Sequence, residues 1–114
     1  MSMKLTTREV SGVSIVDLSG KITLGEGGVA LREEVRKLLA EGKKKIVLNL
    51  AEVNYIDSSG LGELVSSYTA VQNAGGELKL LNLTSKVRDL LVITKLVTVF
   101  DVKDDEASAV SSFA

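Results

Sequence analysis

The chain contains no cysteine and no histidine. Without cysteine there can be no disulfide, no thiolate nucleophile and no cysteine-bearing zinc site. Without histidine there is no imidazole general base, no Ser-His-Asp triad, and little to hold a transition metal. Tryptophan is absent as well, and two tyrosines and two phenylalanines are the only aromatics. That is too few to build base-stacking platforms for single-stranded nucleic acid. The net charge is −1, from 14 basic and 15 acidic side chains, so no general attraction to a phosphate backbone or an anionic membrane is expected. The one basic run, Lys43-Lys44-Lys45, follows Gly42 and reads as a solvated turn. The longest apolar stretch runs from Leu90 to Ile93 and on past Thr94 and Lys95 to Phe100. It is far short of the roughly 20 residues that a membrane span needs. Met1 to Thr7 shows no apolar signal core. These absences lead to the expectation of a cytoplasmic protein with no metal, no cofactor, no nucleic-acid partner and no direct insertion into a membrane.

What is present is ordinary for a folded domain. The 114 residues are 45% hydrophobic and 25% charged. A chain of this size hides roughly 65% of its unfolded surface, enough for one core, and residues 1–114 read as a single domain. Leu5 to Val10 alternates weakly, and Ser11-Gly12 separates it from Val13, Ile15 and Leu18, which alternate with polar residues. Two such runs about a two-residue turn with glycine predict an antiparallel hairpin. Gly20 ends the second run unless Ile22 and Leu24 extend it. Leu31, Val35, Leu38 and Leu39 share a helical face that Gly42 terminates. Lys45 to Leu50 reads as a buried strand. Leu61, Leu64, Val65, Tyr68 and Val71 form a second helix, ended by Gly75-Gly76. Glu77 to Leu81 is a strand, and Val87, Leu90 and Leu91 mark a third helix capped by Thr84 or Ser85. Val97 to Val102 is expected to be the last strand. Asp104 or Asp105 then caps a short helix carrying Ala109, Val110 and Phe113. Repeated strand-helix-strand units force parallel pairing through right-handed crossovers. The expected fold class is α/β: a mixed, mostly parallel sheet of about five strands, with an N-terminal hairpin and about four helices.

Two segments are candidates for chemistry. Gly25-Glu26-Gly27-Gly28-Val29-Ala30 satisfies the G-x-G-x-x-A form of the dinucleotide fingerprint, with Glu52 a little over twenty residues on. Against that reading, Glu26 places a carboxylate where pyrophosphate would sit, and no second mononucleotide half exists. The bland alternative is a glycine-rich loop feeding a helix. The second segment is Ile56-Asp57-Ser58-Ser59-Gly60-Leu61-Gly62, between a strand and a helix. Asp57 can cap the helix by accepting from the amide of Ser59 or Gly60, and its charge suits the helix dipole. Gly60 and Gly62 are poor helix formers, which suggests a close approach to that backbone. Ser58 and Ser59 then lie at the C-terminal edge of the sheet, where ligands and partners of open α/β folds engage. A capped helix start without function is the bland alternative. Nucleophilic catalysis by either serine lacks a histidine base, and no G-x-S-x-G elbow is present. A phosphoacceptor needs only an accessible hydroxyl. Phosphorylation would add about −1.5 to −2 charges, more than the net charge of the whole chain, at a helix N-terminus able to hold a phosphate.

At this motif the sequence resembles a known family. Val53-Asn54-Tyr55-Ile56-Asp57-Ser58-Ser59-Gly60-Leu61-Gly62 is similar to the signature of STAS domains of the anti-sigma factor antagonist type. The strand Lys45 to Leu50, the segment Gly75-Gly76-Glu77-Leu78, the stretch Val87 to Phe100 and the acidic helix start Asp104-Asp105-Glu106-Ala107 also fit. The resemblance implies a domain without intrinsic catalysis that binds an anti-sigma factor which is also a serine protein kinase. It implies that phosphorylation of Ser58 ends binding and that a serine phosphatase restores it. Asp57 would orient Ser58 and cap the helix. Ser59, Gly60, Leu61 and Gly62 would shape the docking surface, with Thr23 and Glu26 bordering it from the preceding loop. Two departures stand out. Ile22 to Gly28 lacks the Asp that many members carry there, and Lys95 replaces a common Gly. The runner-up reading is a STAS scaffold subunit of a larger signalling assembly or a transporter-associated complex. The third is a nucleotide-binding or enzymatic protein using Gly25 to Ala30.

Overall fold

Ser11 and Gly12 both take positive φ, 51° and 81°. That is the backbone of the tight turn whose twist matches a right-handed hairpin. The turn joins strands β1 (Lys4–Val10) and β2 (Val13–Ile22) in antiparallel register from Lys4↔Ser19 to Val10↔Val13. The structure, a computed structural model, describes residues 3–23 and 26–113. Helix α1 (Glu26–Ala40) follows, then β3 (Lys45–Ile56), α2 (Ser58–Asn73), β4 (Glu77–Leu81) and α3 (Ser85–Ile93). A 3-10 turn at Leu96–Thr98, β5 (Asp101–Lys103) and α4 (Glu106–Ser111) complete the described chain. The sheet order is β1-β2-β3-β4-β5, and every pair after the hairpin is parallel. The expected α/β architecture of five strands and four helices is the one observed.

The two faces of the sheet are covered differently. Leu31, Val35 and Leu38 of α1, Leu61, Leu64 and Val71 of α2, and Val87 and Leu91 of α3 pack in one cluster with Val16, Leu18, Ile46, Leu48, Leu50, Leu78 and Leu80. On the opposite face, Ala109 of α4, with Val110 and Phe113, covers Val13, Ile15, Val47 and Leu81. Beside α4 that face turns polar. Arg8 of β1 donates through Nε to Asp17 Oδ2 at 2.6 Å and through Nη2 to Glu106 Oε1 at 2.6 Å, tying the hairpin to α4. This guanidinium, helped by Asn49, holds the Asp17 carboxyl below its ordinary range, and it does the same to Glu106. Buried Lys79 pairs with Asp101 at 2.6 Å and lies 5.0 Å from the Phe113 ring centroid.

The strands depart from the sequence reading in two places, at β3 and β5, and at β2 the longer of the two expected extents is the one observed as far as Ile22. β2 runs through Gly20 to Ile22, because register shifts between Asp17 and Ser19 and between Gly20 and Lys21 absorb the irregularity. β3 does not stop at Leu50. It continues for six residues to Ile56, and this second half pairs with β2 alone, since pairing with β4 ends at Asn49↔Leu81. The last strand is Asp101–Lys103 rather than Val97 to Val102. Leu96 and Val97 are held against the main core from a 3-10 turn, and Phe100 is buried edge-on against Tyr68 at 5.3 Å. Lys95 enters that turn with φ 66°, so the left-handed conformation is kept without glycine. A non-glycine residue does so at roughly 1–2 kcal/mol. Of the proposed caps, Asp105 accepts from Ser108 N at 2.8 Å. Thr84 occupies the N-cap position of α3 but spends its hydroxyl on Val53 O at 3.0 Å, anchoring the projecting end of β3.

A candidate docking site at the start of the second helix

The overrun of β3 carries residues 51–56 beyond the level where β4 ends, so the β3–α2 junction stands out at the C-terminal edge of the sheet. Asp57 is the N-cap of α2, extended at φ −109° and ψ −176°, and its Oδ1 accepts from Gly60 N at 2.8 Å. Its carbonyl accepts from Leu61 N at 2.9 Å. Capping by a carboxylate stabilises a helix by about 1 kcal/mol. Among the described residues, the first turn of α2 adds no second acidic group to it. Ser58 follows as the first helical residue, and both Ser58 and Ser59 are exposed.

The two glycines of the first turns differ in kind. A Cβ on Gly60 would lie 1.9 Å from Ile22 O and 2.7 Å from Ile22 C. The close approach expected from the glycine is made by the chain's own strand β2, which seats the helix start on the end of the sheet. A Cβ on Gly62 would meet nothing within 4 Å, and this residue is exposed. Leu61 is buried in the core at 6% exposure. The motif therefore presents Ser58, Ser59 and Gly62 on its surface, with Asp57 half-buried and Gly60 and Leu61 beneath. Thr23 is half-buried at the end of β2, and its carbonyl accepts from Gly28 N at 3.1 Å. Glu26 begins α1, but its side chain lies outside the described residues, as do Leu24 and Gly25.

Sequence reasoning passed over Tyr55, which is 43% exposed two residues before Asp57. Lys21 Nζ lies 5.9 Å from its ring centroid, and the two residues are register partners. Val29 in α1 is also exposed. The available signal was the tyrosine itself: a large aromatic in a segment whose apolar spacing, Leu50, Val53, Ile56, leaves it off the buried face.

Gly27 and Gly28 of the glycine-rich segment serve packing. A Cβ on Gly27 would lie 2.7 Å from Lys21 O, and one on Gly28 would lie 2.8 Å from Glu63 Cγ. Both residues are buried, and they let α1 close on β2 and α2. Glu52, the acidic residue of the fingerprint, pairs in register with Ser19 along β3.

This fold, with a capped serine pair at the sheet edge, defines a class. The STAS domain model matches residues 4–109, and the chain belongs to that family. Its relatives include the anti-sigma-B factor antagonist of Bacillus subtilis, 36% identical over 76% of this chain and 78% of that protein. The anti-sigma F factor antagonist of Paenibacillus polymyxa is 26% identical over 97% of this chain and 95% of that one. Among solved structures, an anti-sigma factor antagonist from Mycobacterium paratuberculosis superposes with TM-score 0.85 at 22% identity, covering 97% of this chain and 93% of that one. The Bacillus cell fate determinant SpoIIAA in its phosphorylated form superposes with TM-score 0.73 at 18% identity, covering 95% and 97%. The same fold recurs within the murine anion transporter Slc26a9, with TM-score 0.76 at 18% identity, over 91% of this chain and 18% of that one. Among the described residues of the present chain, no helix is long and apolar enough to cross a membrane.

Proposed function

We propose that this chain is an anti-sigma factor antagonist of the cytoplasm, docking on an anti-sigma factor through the face centred on Ser58. The anti-sigma factor acts as a serine protein kinase on Ser58, and the phosphate ends binding. A serine phosphatase resets the switch. The observation that carries this reading is the exposed Ser58 hydroxyl at the first position of a helix capped by Asp57, in a chain related to proteins named anti-sigma factor antagonists. Tyr55, Lys21, Ser59 and Gly62 complete the contact surface around it, and Thr23 and Glu26 border it. The chain supplies an acceptor and a surface, and the kinase supplies the chemistry.

The geometry suits a switch that leaves the fold alone. A phosphate on Ser58 sits at the positive end of α2, where backbone amides favour anions. It adds about −1.5 to −2 charges beside the Asp57 carboxylate. A partner seated on Ser58 then meets bulk and negative charge together.

The test is to retain the anti-sigma factor from a lysate of the native host on immobilised Ser58→Ala, purify it, incubate it with the purified chain and ATP, and map the product by mass spectrometry. One phosphate on Ser58, and none on Ser58→Ala, is the expected result. A phosphate on Ser59 instead, or no phosphate, would contradict the assignment.

A further inference from the structure

Between α1 and α2 lies a groove of about 240 Å³ lined by Arg32, Val35, Arg36, Glu63, Ser66, Ser67 and Ala70. Its polar groups are incompletely satisfied. Ser67 is only 3% exposed, yet its buried hydroxyl has no hydrogen-bond partner among the described residues. Leaving such a group unpaired costs about 1–3 kcal/mol. Arg32 Nε stands 3.5 Å from Glu63 Oε1, an ion pair in which neither atom makes a hydrogen bond. Arg36 is exposed and has no ionic partner among the described residues. Two guanidinium groups thus line the groove with one carboxylate and two hydroxyls, and the carboxylate pairs with Arg32 alone, which leaves one positive charge in excess.

The groove is continuous with the proposed docking face. Residues four apart share a helix ridge, and the ridge from Ser58 runs through Gly62 to Ser66 at the groove. The distance is about 12 Å along the helix axis. Gly62 leaves the middle of that ridge bare, with nothing within 4 Å of a Cβ position. A chain segment crossing Ser58 can therefore lie flat on α2 and reach Arg36.

We propose that the α1–α2 groove receives one carboxylate side chain, an Asp or Glu, from the protein docked at Ser58. Arg36 and Arg32 supply the charge, and Ser67 and Ser66 donate hydroxyl hydrogens. The inference rests on the docking reading above and names the chemistry of a second contact within it. Charge is the reason for choosing an acidic segment over an apolar one, since opposed charges in an interface set register and partner choice.

Calorimetric titration of the purified anti-sigma factor retained by Ser58→Ala tests it. Arg36→Glu is expected to weaken binding roughly tenfold or more. Ser67→Ala is expected to weaken it several-fold while leaving the melting temperature unchanged or higher, because it removes an unpaired buried hydroxyl. Replacing one acidic residue of the partner by Arg should restore binding to Arg36→Glu. If no acidic residue rescues, the occupant is not a carboxylate and the inference falls. If both groove variants bind like wild type while Ser58→Asp does not, the inference falls and the docking reading stands. If Ser58→Asp also binds like wild type, both fall. Titrating the labelled chain with sodium acetate and with inorganic phosphate adds a control. Amide shifts confined to the groove, with partner affinity unmoved by the variants, would make it a small-anion site and overturn the proposal.

Discussion

Gly60→Ala is expected to destabilise the protein by about 3 kcal/mol or more, while Gly62→Ala, one half-turn away, is expected to stabilise it by up to ~1 kcal/mol. Helix propensity alone gives both substitutions the same favourable sign. The surroundings reverse one of them. The added methyl at residue 60 would lie 1.9 Å from the carbonyl oxygen of Ile22, a backbone atom of a central strand that cannot swing aside. Relief requires lifting the first turn of α2 off the sheet, and Leu61 and Leu64 would lose packing with it. At residue 62 the methyl enters open space. Thermal melts followed by circular dichroism should show the Gly60 variant falling by roughly 10 °C or more and the Gly62 variant rising. Stabilisation by both would mean that α2 does not seat on the end of β2.

Ser58→Asp is expected to lower affinity for the anti-sigma factor by roughly a hundredfold or more, while Ser58→Ala retains it. A like charge or an unpaired carboxylate forced into an interface costs several kcal/mol, and ~1.4 kcal/mol is a factor of ten. The same substitution should leave stability within about 0.5 kcal/mol. Ser58 is exposed, and a carboxylate in the first turn of a helix interacts favourably with its dipole. Calorimetry gives the affinity and a melt gives the stability, so lost binding is separable from lost folding. A parallel drop in melting temperature would remove the switch interpretation.

Local chemistry made much of this fold legible. Ser11-Gly12 announces its turn because a two-residue hairpin needs positive φ, and the turn takes it at both positions. Asp57 announces a cap because an aspartate before a helical run has an amide to bind, and it binds that of Gly60. What escaped depends on contacts distant in sequence. Past Leu50 the strand β3 loses its neighbour β4 and is held by β2 and by the Thr84 hydroxyl on Val53 O. Neither tie leaves a pattern in residues 51–56. Val97 and Phe100 read as strand because they are apolar and closely spaced, but the core recruits them from a turn and a bend. The α1–α2 groove was invisible for the same reason. Arg32 and Arg36 look like the solvated face of an amphipathic helix until Ser66 and Ser67 are placed opposite them. The two glycines of the motif look alike in sequence, and only the position of Ile22 separates their roles.

The proposed function requires that the face around Ser58 be the one that meets the anti-sigma factor. The most direct measurement is the amide footprint of the isotope-labelled chain on adding the purified anti-sigma factor retained by Ser58→Ala. The expected footprint covers 57–62 at the start of α2, Lys21 to Thr23 and Tyr55, and continues down the α1–α2 ridge to Ser66 and Ser67. A footprint confined to α4 and the exposed β1 edge, with the amides of 57–62 unmoved, would contradict it.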